Sequence, residues 1–482
     1  MNGTTMNDTT TNGTTMNEYR NTAFLSATDV LAKLESGELN HTDVAAAIMH
    51  QTESVNPQIN AYDSTAETIE SMDGKPLKGL PVSVKDQIHV AGMPCNFGLD
   101  RSQPGLCEET AVPIQRLLAA GASIIGKTNL PPFAMDYQSF NGRVGRTNNP
   151  WNTAFTAGGS SGGGAAAVAA GLSYLDIGAD LAGSLRIPAA FCGVFSLLPS
   201  EGALESDHMM VGQGSLPHFA RMGPLARTVD DLMVAWKFLS GTEHTQSQTE
   251  TTKIAIWEPS SGESVDEHTL KAFSDARALL DAGGLEVRST RTSEIVDDHS
   301  HRCFGEIMGY DTAGLVPSWA RLLGRVFGRS AAKRSPSFLR HVHSGQARNA
   351  SRYDEAKQRR LEIQSHFDAT YVNDDALLLP VSQIAAFKHR TPSSDRNGIR
   401  DYKEPFLING SEVNYFDALT SFTTPISLVG NPVVMIPIGL DARGLPVGAQ
   451  LVGKRGGDWQ LLETAKRLAS HLQPVSLAAK DI

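Results

Sequence analysis

Residues 157–166 read Ala-Gly-Gly-Ser-Ser-Gly-Gly-Gly-Ala-Ala, and residues 180–189 read Asp-Leu-Ala-Gly-Ser-Leu-Arg-Ile-Pro-Ala. The first stretch is a glycine-rich turn that carries Ser160 and Ser161 into an alanine-rich helix. The free N–H groups at such a helix start point at an anion or a hydroxyl. The second stretch places Ser184 after small residues in a tight turn, where successive N–H groups of 181–184 suit a developing oxyanion.

Working outward, Leu80-Pro81-Val82-Ser83-Val84 predicts a short buried strand that delivers Lys85 and Asp86 at its end. Val112 to Ala120 predicts a helix closing at Gly121, and Ala122 to Gly126 the next strand. Such strand–helix–strand alternation implies an α/β fold, a parallel or mixed sheet covered by helices. Further along, 254–257, 376–380, 433–437 and 448–453 predict strands, the last two as neighbours across a turn at Gly444 and Pro446. Residues 265–283 and 458–472 suit helices, and 300–370 reads as mainly helical. Toward the start, Ser26 caps a helix ending at Gly37, and Thr42 is the expected cap of a second. The polar repeat Asn-Gly-Thr-Thr-Met-Asn at 2–7 and 12–17 predicts a disordered tail over 1–20, followed by a single domain over 21–475.

The 482 residues carry 42 Lys+Arg against 52 Asp+Glu, a net charge of −10, which excludes a generic nucleic-acid binder. Of all residues 40% are hydrophobic, as in a globular chain, and no apolar run reaches membrane-span length. The start lacks a basic segment followed by an apolar one, so no secretory signal is read. The four cysteines, Cys95, Cys107, Cys192 and Cys303, form no CxxC pair, and a reduced, cytoplasmic setting is the simpler expectation. Asp297, Asp298, His299, His301 and Cys303 resemble a metal cluster, but adjacent spacing fits a solvated helix start better, and no metal is expected. His341 and His343 are equally weak as metal ligands.

The chain resembles the amidase signature family. The matches are Gly158 to Gly163, the Asp180-to-Ala189 element, and Gly79-Leu80-Pro81-Val82-Ser83-Val84-Lys85-Asp86. Gly126 to Asn129, Thr147 to Asn152, Gly223 to Arg227, Pro425, Gly430 to Pro432 and Gly444 to Gly448 extend the likeness from about residue 26 to about 470. The resemblance implies a large mixed β-sheet covered by α-helices on both faces, carrying a Ser–Ser–Lys triad with Ser184 as nucleophile, Ser160 bridging after a cis peptide bond, and Lys85 as base. It implies an oxyanion hole at Leu181, Ala182 and Gly183, and support from Ser161, Asp180 and Arg186. It implies no cofactor. The sequence departs from the family pattern at Ala182, where a glycine is usual, at Pro132, where an acidic residue is common, and at 196–200.

The chemistry sets its own condition on Lys85. A free lysine titrates near ~10.4, so a neutral one at pH 7 costs roughly 4.6 kcal/mol, which burial must offset. The activity expected is hydrolysis of a small-molecule carboxylic amide. Transfer to an amine acceptor, the glutaminase role in an amidotransferase, or a scaffold without turnover stay open. Gly158 to Gly162 also fits the G-x-S-x-G elbow, which needs a preceding strand and would make Ser160 the nucleophile. It fits a glycine-rich packing turn as well. Arg321, Arg325, Arg329, Lys333, Arg334, Arg340 and Arg348 form a solvated helical face or a basic patch for an acidic substrate or carrier protein. A homodimer is left open. Residues 300–345 and 382–400, with Phe387, His389 and Tyr402, are the expected specificity region.

Overall fold

The computed structural model describes residues 16–100, 105–209, 216–244, 252–259, 264–293, 295–314, 329–396 and 399–477. An eleven-stranded mixed sheet runs through it. Its strands are β1 (Tyr62–Thr65), β2 (Pro81–Lys85), β3 (Ser123–Thr128), β4 (Leu175–Asp180), β5 (Phe195–Leu198) and β6 (Arg221–Ala226). The others are β7 (Lys253–Trp257), β8 (Glu286–Thr290), β9 (Ala376–Pro380), β10 (Val433–Leu440) and β11 (Pro446–Val452). They lie in the order β1-β3-β2-β4-β6-β5-β10-β11-β9-β7-β8. Strand β2 runs parallel to both β3 and β4, whereas β10 and β11 form the expected antiparallel pair. Helices flank the sheet: α1 (Met16–Ala23), α2 (Gly162–Ala169), α3 (Arg186–Cys192), α4 (Asp298–Gly314) and α5 (Thr423–Val429) matter below.

Burial explains the composition of the central elements. Every residue of β2, β4, β6, β9 and α2 is buried. Helix α2 is built of glycine, alanine and one valine because it lies against the sheet. A Cβ on Gly164 would come within 2.0 Å of Asp176 Oδ2 on β4. Cross-sheet contact this close leaves no room for a side chain.

Some sequence expectations are corrected. Residues 16–20, placed in the tail, open helix α1, where Tyr19 is buried; residues 1–15 lie outside the described residues. The second helix, His41–Ile59, is capped by Asn40, whose side chain accepts from the Asp43 N–H at 3.0 Å, and not by Thr42. A strand, Asn152–Thr156, does precede Gly158, but it pairs with Asn148–Asn149 in a small hairpin and bridges Lys388 through Phe155, outside the main sheet. All four cysteines are free and buried. Among the described residues no helix is long and apolar enough to cross a membrane.

Candidate active site

Lys85 and Asp180 end neighbouring parallel strands, β2 and β4, so both side chains emerge at the same edge of the sheet. The glycine-rich turn before α2 closes over that edge. Lys85 is fully buried, and its Nζ lies 2.7 Å from Ser160 Oγ, 2.9 Å from Ser161 Oγ and 3.4 Å from the Ala179 carbonyl. The Ser161 hydroxyl in turn donates to that carbonyl at 3.1 Å. The Gly159–Ser160 peptide is cis, as the resemblance implies.

Burial lowers the Lys85 amine to about 7, against the opposing pull of Asp180 and Asp176. Asp176 is itself buried and is raised by burial to about 7, while the Ser83 and Thr128 hydroxyls donate to its Oδ1 at 2.8 and 3.1 Å. Its Oδ2 has no hydrogen-bond partner among the described residues.

Ser184 sits in the turn between β4 and α3, partly exposed, where Ser160 and Ser161 are fully buried. Its backbone carbonyl accepts from the Ser161 N–H at 3.0 Å, which ties the two turns together. Its hydroxyl makes no hydrogen bond among the described residues, so it is not linked to the Ser160 hydroxyl. Asp180 organises this turn. Its carboxylate accepts from the N–H groups of Gly183 (2.8 Å), Leu185 (2.9 Å) and Arg186 (3.3 Å). The Arg186 guanidinium adds bonds of 3.1 and 2.9 Å. Burial alone would raise Asp180, but Arg186 and the N–H donors outweigh it and hold the carboxyl at about 2.

That arrangement corrects one expectation. The Gly183 N–H, expected to face a substrate oxygen, is spent on Asp180. The N–H groups of Leu181 and Ala182 have no partner among the described residues. The Ala182 carbonyl is held from behind by Tyr137 OH (3.0 Å) and Thr423 Oγ1 (2.8 Å), which fixes the turn despite the extra methyl.

Of the expected specificity residues, Phe387 and Tyr402 are buried and His389 is partly exposed. Phe387 packs edge-on against Phe191, Phe406 and Tyr415, and Tyr402 stacks on Tyr415 at 3.9 Å. Tyr402 OH, Tyr415 OH and Arg400 all bond the buried Asp136 carboxylate. His389 meets the Thr153 carbonyl at 3.3 Å, and burial lowers it to about 4. Sequence reasoning missed three residues here: Asp136, Ser139 and Asp176. Ser139 Oγ donates to the Ser160 carbonyl at 3.2 Å and accepts from the Gly162 N–H at 2.9 Å, bracing the serine turn. A charged residue inside an apolar strand was the available signal for Asp176.

The other weighed clusters disperse. His301 turns to Thr424 at 3.0 Å and Cys303 to the Ala356 carbonyl at 3.1 Å. In the basic stretch, Arg334 pairs with Asp401 and Arg348 lies over the Tyr310 ring, while 321 and 325 fall outside the described residues. A cavity beside Leu34, His41 and Lys78 shares no residue with the Lys85 cluster.

The amidase family pattern matches residues 38–462. An acylamidase of Rhodococcus erythropolis is 29% identical over 479 residues, covering 92% of this chain and 95% of that protein. A glutamyl-tRNA(Gln) amidotransferase subunit from Carboxydothermus hydrogenoformans is 28% identical over 492 residues, covering 92% and 96%. A crystal structure of an amidase superposes with a TM-score of 0.74 at 25% identity, over 93% of this chain and all of that one. A bacterial aryl acylamidase shares the fold with a TM-score of 0.75 at 20% identity, over 95% and 98%.

Proposed function

The chain belongs to the amidase family, and from that premise we propose that it cleaves a small-molecule carboxylic amide through an acyl-enzyme on Ser184. The single observation that carries this reading is the buried Lys85 amine, 2.7 Å from the Ser160 hydroxyl and lowered to about 7. A neutral lysine has two N–H donors and one lone pair. Ser161 Oγ already donates to Ala179, so it receives one donor, and the Ala179 carbonyl receives the other. The lone pair is left facing the Ser160 O–H.

The proton then has one route. Ser184 Oγ attacks the amide carbon as its proton passes to Ser160 and the Ser160 proton passes to Lys85. The developing oxyanion meets the Leu181 and Ala182 N–H groups. Collapse breaks the C–N bond as Lys85 returns the proton through Ser160 to the leaving amine. Water repeats the attack on the ester and releases the acid and free Ser184. No step calls for a cofactor, and the enzyme works in the cytoplasm on this reading.

A second reading rests on the likeness to glutamyl-tRNA(Gln) amidotransferase subunits, in which the leaving group would be ammonia from glutamine, passed to another acceptor. Both readings share the Ser184 acyl-enzyme. Labelling with a fluorophosphonate and weighing the intact protein tests that step. One adduct in the wild type and none in Ser184→Ala is expected; an unlabelled wild type or a labelled variant overturns it. A panel of aryl, alkyl and amino-acid amides, assayed with and without an added amine, then separates hydrolysis from transfer by free acid against new amide.

A further inference from the structure

Away from the serine turns, residues 89–94 lie alongside 106 and 107. Ala91 bridges Cys107 in parallel fashion and Pro94 bridges Leu106 antiparallel. The Cys107 N–H donates to the Met93 carbonyl, and the Gly92 N–H to the Cys107 carbonyl, each at 2.9 Å. His89 is fixed by its own N–H on the His208 carbonyl (2.9 Å) and by the Ala111 N–H on its carbonyl (3.1 Å). These backbone bonds bring together three side chains spaced 6 and 12 residues apart in the sequence. A ring nitrogen of His89 and the sulfurs of Cys95 and Cys107 all lie within 4.8 Å of one another.

We propose that His89, Cys95 and Cys107 bind one borderline-soft divalent cation of the zinc class. Two sulfurs and one imidazole are the donor set that such an ion prefers over carboxylate-seeking calcium or magnesium. Tetrahedral coordination sets donor atoms roughly 3.3–3.8 Å apart, from Zn–S near ~2.3 Å and Zn–N near ~2.0 Å. Side-chain shifts of about 1 Å close the site. The thiols are free and buried beside Phe97 and Leu99 in an apolar cluster separate from the main core, while His89 is half-buried and leaves a way in. The His89 ring meets Phe97 edge-on, which orients it.

The ion acts on the fold around the site. Asn96, next to Cys95, donates its N–H to both oxygens of Asp86 at 3.0 and 2.9 Å, and its Nδ2 to Asp63 at 2.7 Å. Asp86 follows Lys85 directly. Clamping Cys95 to Cys107 and His89 therefore pins the loop that holds the end of β2.

The test is a titration of reduced, metal-free full-length protein with Co²⁺ under argon, followed by Zn²⁺. The expected result is saturation at one equivalent, with a thiolate-to-cobalt charge-transfer band that Zn²⁺ removes. The melting temperature should rise with Zn²⁺, since an ion that binds the folded chain stabilises it. Cys95→Ser and Cys107→Ser should lose the band, His89→Gln should weaken binding at least tenfold, and Cys192→Ser should change nothing. Should a cysteine variant fail to fold, alkylation of the wild type replaces it: Zn²⁺ should protect Cys95 and Cys107. The absence of saturable binding, a band that survives Cys95→Ser/Cys107→Ser, or a Cys95–Cys107 disulfide with no metal uptake by the reduced chain overturns the proposal.

Discussion

Lys85 Nζ lies 2.7 Å from Ser160 Oγ, and both side chains are fully buried. Water would hydrate an ammonium ion; this pocket offers it only neutral oxygens in direct contact. The amine is therefore lowered from 10.5 to about 7. The sign of the stability effect follows. The unfolded chain holds the Lys85 proton more tightly than the folded one, so the folded state is penalised below about pH 7. The penalty fades as pH rises from 7 to 10.5. It amounts to roughly 5 kcal/mol at neutral pH, taking about 1.36 kcal/mol per unit.

Lys85→Met fills the same space without a charge. It is expected to abolish acylation and to raise stability at pH 7 by a few kcal/mol, on the order set by that penalty. Urea midpoints of the two proteins at pH 7 and pH 10 measure it. The gain should shrink at the higher pH, and a variant that is less stable at both would show that the amine is not held uncharged.

Asp176 acts on the rate through Lys85. Asp176 is itself raised to about 7, so the charge that favours the ammonium form is present only in the upper part of the acid limb, and removing it lowers the lysine there. Acylation is expected to rise with pH through about 7 in the wild type, because the neutral amine is the working base. In Asp176→Asn the upper part of that limb should move to lower pH by a fraction of about one unit, with the foot of the limb, where Asp176 is protonated, and the plateau kept. The amide still accepts from Ser83 and Thr128 at Oδ1, so the packing survives. A pH–rate profile that does not move would exclude the coupling.

How much of this was legible beforehand depended on what each strand had to carry. Strand β9, apolar throughout, matched its predicted span of 376–380, and β2 differed by one residue at each end. Strand β4 escaped notice because Asp176, Gly178 and Asp180 break its pattern, and two of these three serve the site. Strand β6 contains Pro224, which argues against a central strand. Pro224 is tolerated because the ladder to β5 reaches only Leu225 and Ala226. Lys85, Ser160 and Ser184 were singled out through resemblance, since their sequence separations of 75 and 24 residues encode no geometry. The burial of Phe387 and Tyr402 was not legible, because an aromatic residue in a loop looks the same in sequence whether it faces solvent or, like Tyr402, bonds a buried carboxylate such as Asp136.

Arg186 and Asp180 form a fully buried ion pair, with further guanidinium bonds to the Thr423 carbonyl, Gln450 and Ser427. Arg186→Met leaves the Asp180 charge buried with only N–H donors. A loss of about 3–5 kcal/mol is expected, as for other broken buried pairs. Because Asp180 is held at about 2, the pair's contribution is complete above its unfolded value of 3.8 and disappears as pH falls through 2. Denaturation of wild type and variant at pH 7 and at pH 2 tests both parts. The two proteins should converge in acid, and a constant difference would assign the loss to packing alone.

Gly183 connects the Asp180 turn to Ser184, and two separate constraints keep it glycine. Its φ is +114°, a region that side chains avoid, and a Cβ would meet Thr423 Oγ1 at 2.8 Å and Thr423 Cγ2 at 2.9 Å. Gly183→Ala therefore displaces the turn either toward solvent or off Asp180, and with it the nucleophile and the neighbouring N–H groups. Acylation should fall by about 10²-fold or more, the scale on which one oxyanion donor counts, while helices and sheet persist by circular dichroism. Thr423→Gly in the same chain clears the space but leaves φ unchanged. Partial recovery in Gly183→Ala/Thr423→Gly is expected if both constraints act. Full recovery would assign the whole effect to the Thr423 contact, and no recovery would assign it to the backbone.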